Sequence, residues 1–123
     1  MRVFKSALIG FTIIGIIGVA SFAGAICSTN SYVVTVSGPN PDNWTDTSGL
    51  LWSPSGGFPG CATGDSASTT TSRTVIINSP IPNAVSSISF SAPAGQIQID
   101  SGGFLMLDGP MSLTGGSKLV MNG

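Results

Sequence analysis

Apolar residues recur two positions apart along the second half of the chain. The pairs are Val75/Ile77, Ile88/Phe90, Ile97/Ile99 and Leu105/Leu107, followed by Leu113 and then Leu119/Met121. A period of two predicts β-strands that bury one face. Turn formers punctuate them at Ala94-Gly95, Gly102-Gly103, Asp108-Gly109-Pro110 and Gly115-Gly116. An earlier strand is predicted over Ser31 to Val36, where β-branched and aromatic residues concentrate. Gly38-Pro39-Asn40-Pro41-Asp42-Asn43 stops it, because proline donates no ladder hydrogen bond. Trp44 to Gly64 reads as a turn-rich segment, and the Ser/Thr run from Ser66 to Ser72 as a delay before the next strand. Strand and turn formers dominate after residue 25, so the expected fold class is all-β.

The spacing of the strands narrows the architecture to two. Ile88 to Ile97 is 9 residues, and Ile97 to Leu105, Leu105 to Leu113 and Leu113 to Met121 are 8 each. Three such units make a coil of about 24 residues, within the range of solenoid repeats. A three-sided right-handed parallel β-helix fits, each coil stacking on the next. A small antiparallel β-sandwich, with hairpins at the same glycines, gives the same spacing.

The first residues read as an export signal. Arg2 and Lys5 precede an uncharged apolar run from Ala7 to Ala20, and Ala23-Gly24-Ala25 supplies small residues at Ala23 and Ala25 for cleavage. The expected signal peptide is residues 1–25, with cleavage after Ala25. A retained anchor is the competing reading, since Ala7 to Ile26 is 20 residues, about enough to span a bilayer. Ile26 is too large for a lipoprotein box before Cys27, and Gly15 stands where a type IV pilin carries Glu.

Composition removes whole classes of chemistry. The 123 residues include no His, and all five acidic residues are Asp. A Ser-His-Asp triad, a Cys-His dyad, a His-based zinc site and a Glu/Glu glycosidase pair are all excluded. Only Arg2, Lys5, Arg73 and Lys118 are basic, so no phosphate-tracking nucleic-acid surface is expected. Cys27 and Cys61 are the only cysteines of an exported chain, and a Cys27–Cys61 disulfide follows. Asp42, Asp46 and Asp65 lack calcium-loop spacing, and Asp100 and Asp108 fall at strand–corner junctions, so turn and cap duty is expected for all five. The sequon Asn43-Trp44-Thr45 has meaning only in a eukaryotic secretory route. Trp44, Trp52 and Phe58 have two readings: buried cap residues at the apolar end of the fold, or a sugar-stacking platform. No cofactor and no metal are expected.

Three stretches in order carry a family resemblance: Asn43-Trp44-Thr45-Asp46, Leu51-Trp52-Ser53-Pro54-Ser55-Gly56-Gly57-Phe58-Pro59-Gly60, and Gly64-Asp65-Ser66-Ala67. They resemble a recurring block of bacterial secreted proteins that precedes autotransporter-type or adhesin-like parallel β-helices. Ala84 to Phe90 and Ser101 to Leu107 are similar to the strand runs that follow the block there. The chain departs from that pattern at Cys61 and in the Ser66–Ser72 run. The resemblance implies the β-helix over the sandwich, with a cap over residues 26–73 and the first solenoid coils over 74–123. It also implies a bacterial secreted or cell-surface location, at the outer membrane or outside the cell. The absence of a closing segment at Val120-Met121-Asn122-Gly123 reads as the N-terminal part of a longer protein. The expected function is therefore non-enzymatic: the cap and first coils of an adhesin or autotransporter passenger. Expected partners are downstream coils of the same protein and cell-surface glycans. A membrane enters only during export. The alternative is a carbohydrate-binding module, or the leading end of a solenoid polysaccharide-degrading enzyme.

Overall fold

A computed structural model describes residues 27–123. The signal peptide, its cleavage residues Ala23 and Ala25, and the competing membrane anchor lie outside the described residues. The described residues are all-β and contain no helix. Their strands are β1 (Ser31–Val34), β2 (Asp42–Asn43), β3 (Trp52–Ser53), β4 (Ser66–Thr69), β5 (Thr74–Ile77), β6 (Ser87–Phe90), β7 (Gln96–Asp100), β8 (Met111–Leu113) and β9 (Lys118–Asn122).

The strands form two sheets. One has the order β3-β1-β4-β6-β8, the other β2-β5-β7-β9. Every pairing is parallel except β1 with β3, which is antiparallel. Beyond β4 the register advances by a nearly constant interval. Ser66 to Ser87 is 21 residues, Ile88 to Met111 is 23, and Thr74 to Gln96 and Gln96 to Lys118 are 22 each. A third stretch repeats at 22 to 24 residues without forming a strand. Val85 bridges Leu107 and Pro80 bridges Phe104, both in parallel, and the N–H groups of Ile81 and Val85 donate to the carbonyls of Phe104 and Met106 at 2.9 Å each.

The period-two pattern decides which side chains meet. Tyr32, Ala67, Ile88 and Met111 align across one sheet; Val75, Ile97 and Leu119 align across the other, beside Ile77, Ile99 and Met121. The core joins the inward faces of both sheets, with Trp44, Leu51 and Trp52 at the β3 end. Burial along these rows falls toward the C-terminal strands. Val75 and Ile97 are fully buried whereas Leu119 is 39% exposed, and Ile77 is 1% exposed whereas Met121 is 66% exposed. Phe104, Met106 and Leu107 are exposed on the same end.

Corners between strands run close over the preceding backbone, which explains two glycines. A Cβ on Gly103 would overlap the carbonyl of Ile77, and one on Gly109 the carbonyl of Ser86. No larger residue lets the chain pass that closely.

Several sequence expectations are corrected. Ser66 to Ser72 does not delay a strand: β4 lies within it, with Ala67 and Thr69 turned inward. The inward Thr69 hydroxyl is accommodated by Thr71, whose N–H donates to it at 2.9 Å. The Pro-rich stop contains β2 and the turn-rich segment contains β3. The first strand ends at Val34, two residues short of Val36. Leu105/Leu107 belongs to the bridged stretch, where prolines at 80 and 82 prevent a regular ladder.

Candidate functional site

The polar and aromatic features of the chain concentrate where β1, β2 and β3 meet the loop from Phe58 to Asp65. Trp44 follows β2, and its N–H donates to the carbonyl of Ile76, which fixes it beside β5. Trp52 lies in β3, held antiparallel to β1 with Trp52 opposite Val34. The rings of Trp44 and Trp52 pack edge-to-face with centroids 5.1 Å apart, and Tyr32 contacts Trp52 in the same manner at 6.3 Å. Both indole N–H groups are satisfied inside the cluster. Trp44 Nε1 donates to the carbonyl of Pro59 at 2.7 Å, and Trp52 Nε1 to the carbonyl of Trp44 at 2.6 Å. Burial of a large ring with its one polar atom satisfied stabilises a core strongly.

Both tryptophans are fully buried. The sugar-stacking platform is corrected for these two residues, because neither ring turns a face to solvent. Phe58 is partly buried against the same cluster. Gly57 is required here, since a Cβ would overlap the Tyr32 hydroxyl.

Cys27 and Cys61 form a disulfide, with Cα atoms 5.5 Å apart. It attaches the segment before β1 to the loop that receives the Trp44 indole. Asp65 lies beneath this link and is fully buried. Its Oδ1 accepts the N–H of Asn30 at 2.8 Å, and its Oδ2 accepts the N–H groups of Gly60 and Ala62 at 3.0 Å each. Three backbone donors on one carboxylate make charge-assisted bonds, stronger than neutral ones. Asn83 braces the same loop, its Nδ2 donating to the carbonyls of Gly60 and Cys61.

The remaining Asp residues serve local structure. Asp46 accepts from the Ser48 hydroxyl and from the N–H of Leu51, and Asp42 accepts the N–H of Asn43. Asp100 accepts from the amides of Gln98 and Asn122. Asp108 is exposed in a corner. Among the described residues, no three His, Cys, Asp or Glu come together as a metal site. Asp42, Asp46 and Asp65 are not brought together.

Two features were not anticipated from the sequence. Arg73 is buried, and its guanidinium donates from Nη1 to the carbonyl of Gly38 at 2.9 Å and from Nη2 to that of Pro39. Its Nε has no partner among the described residues. It ties the loop after β1 to the entry of β5. The five-stranded sheet also turns an uncharged, hydroxyl-lined face outward. Ser53, Val33, Ser68, Ser89 and Ser112 align in one row, and Ser31, Ser66 and Ser87 in a second.

Comparison with protein-family models, with curated protein sequences and with solved structures found no match.

Proposed function

We propose that residues 27–123 are the N-terminal cap and first coils of a right-handed parallel β-solenoid in a non-enzymatic, secreted or cell-surface protein of the adhesin or autotransporter-passenger type. One observation carries this reading: the same parallel register interval, 21 to 23 residues, recurs in both sheets beyond β4. In a sandwich of hairpins, neighbours in sequence would pair antiparallel. The falling burial along the core rows supports a stack that continues past β8 and β9, where a next coil would cover Leu119 and Met121. The antiparallel β3, the prolines around β2 and the buried tryptophans would close the other end against strand addition.

A disulfide-bonded chain with an export-type leader fits an extracellular setting. A neutral, hydroxyl-lined sheet face suits uncharged hydrogen-bonding partners such as surface glycans, with no attraction for nucleic acid. Labelling of intact host cells with antibodies to residues 27–123 tests the location. Signal on unbroken cells is expected. Signal only after lysis would overturn it.

A further inference from the structure

The disulfide and the Asp65 carboxylate connect the same two stretches of chain. Cys27 precedes β1 and Cys61 lies in the Phe58–Asp65 loop. Asp65 accepts the N–H of Asn30, three residues after Cys27, and the N–H groups of Gly60 and Ala62, which flank Cys61. Two further bonds run across the same seam. The Thr29 hydroxyl donates to the carbonyl of Thr63 at 2.7 Å, and the N–H of Ser66 to the carbonyl of Asn30 at 3.0 Å.

We propose that Asp65 is a second, non-covalent lock on this seam, in parallel with the disulfide, so that either one alone holds the N-terminal segment closed beside the aromatic cluster. Opening the disulfide restores freedom chiefly to the unfolded chain. It leaves the native seam with a buried carboxylate whose partners are the N–H groups of both stretches. Moving the segment away would take the Asn30 N–H from a fully buried acceptor and break a bond that the seam makes at 2.8 Å. Neutralising Asp65 while the disulfide is intact leaves the covalent link to keep the stretches together. The locks substitute for each other, and the seam opens only when both are lost.

Amide hydrogen exchange on the full-length exported protein tests this. In the C27S/C61S variant, the amides of Asn30, Gly60 and Ala62 should stay protected and the tryptophan emission should remain that of buried indole. The D65N variant with its disulfide intact should also keep buried-indole emission. Adding a phosphine reductant to folded D65N should then release the seam, with loss of protection at those three amides and a red shift of the emission. The same reductant should leave the unmodified protein unchanged. Loss of protection at the three amides in C27S/C61S, or failure of that variant to fold, would overturn the proposal. So would a D65N protein whose seam stays closed after reduction.

Discussion

Ile97 and Leu119 are neighbours in one core row, in register across β7 and β9, and differ in what covers them. Ile97 is fully buried, with Val75 on one side and Leu119 on the other. Leu119 is 39% exposed and has Ile97 on one side only. Truncation of each to Ala therefore separates burial from residue type. At Ile97 the lost transfer energy adds to a cavity that two flanking strands prevent from collapsing, which places the cost at about 3–4 kcal/mol within the usual range for such changes. At Leu119 no closed cavity forms, and the fraction of side chain removed from water is little over half. The expected cost is about 1 kcal/mol. Unfolding in urea, followed by tryptophan emission at low protein concentration, reads both as shifts in midpoint with unchanged slope. A loss of about 3 kcal/mol is a large share of the ~5–15 kcal/mol stability of a domain. In a chain ending at Gly123, with no further coil over β9, equal losses at the two positions, or a larger one for Leu119→Ala, would mean that Leu119 is covered and would refute the burial gradient.

Three further variants probe the cap and the corners. Trp52→Phe keeps an aromatic ring but strands the buried carbonyl of Trp44, with an expected loss of about 1–3 kcal/mol in the same urea assay. Arg73→Lys replaces a fork that reaches the carbonyls of both Gly38 and Pro39 with a single ammonium; a loss of about 1–2 kcal/mol is expected, with faster amide exchange at Thr74. Gly109→Ala drives a Cβ into the carbonyl of Ser86 and should cost about 1–3 kcal/mol, whereas Ser112→Ala on the outer sheet face should stay within about 0.5 kcal/mol in a thermal melt.

The strands that are legible in the sequence are those with hydrophobic contrast. Ile88/Phe90 and Ile97/Ile99 alternate against Ser and Gln, Val75/Ile77 belongs to the apolar run Val75-Ile76-Ile77, and each pair lies inward in a strand. Ser66–Thr69 is a strand of the same kind, but its inward residues are Ala67 and Thr69. Small and hydroxylated side chains on the inner face give no contrast, so the run reads as a linker. The strands β2 and β3 are two residues long and sit among prolines, and their existence depends on the longer strands beside them. The disulfide was legible because two cysteines leave one pairing. Tryptophan burial could be weighed but not decided from sequence, because the acceptors of the indole N–H groups are the backbone carbonyls of Pro59 and Trp44. Asp65 was readable as a turn former. Its bond to Asn30, 35 residues away, was not. The partners of Arg73 are also backbone carbonyls, which carry no residue-type signal.

The most direct test of the stacked parallel arrangement is the pattern of through-space proton contacts between β7 and β9 in solution NMR. Parallel pairing with Ile97 opposite Leu119 and Ile99 opposite Met121 predicts Hα-to-amide contacts across the two strands at a 22-residue interval. It also predicts that Hα–Hα contacts between them are absent. Close Hα–Hα contacts linking β7 to β8 or β8 to β9, the mark of antiparallel hairpins, would contradict the parallel stack and favour a sandwich.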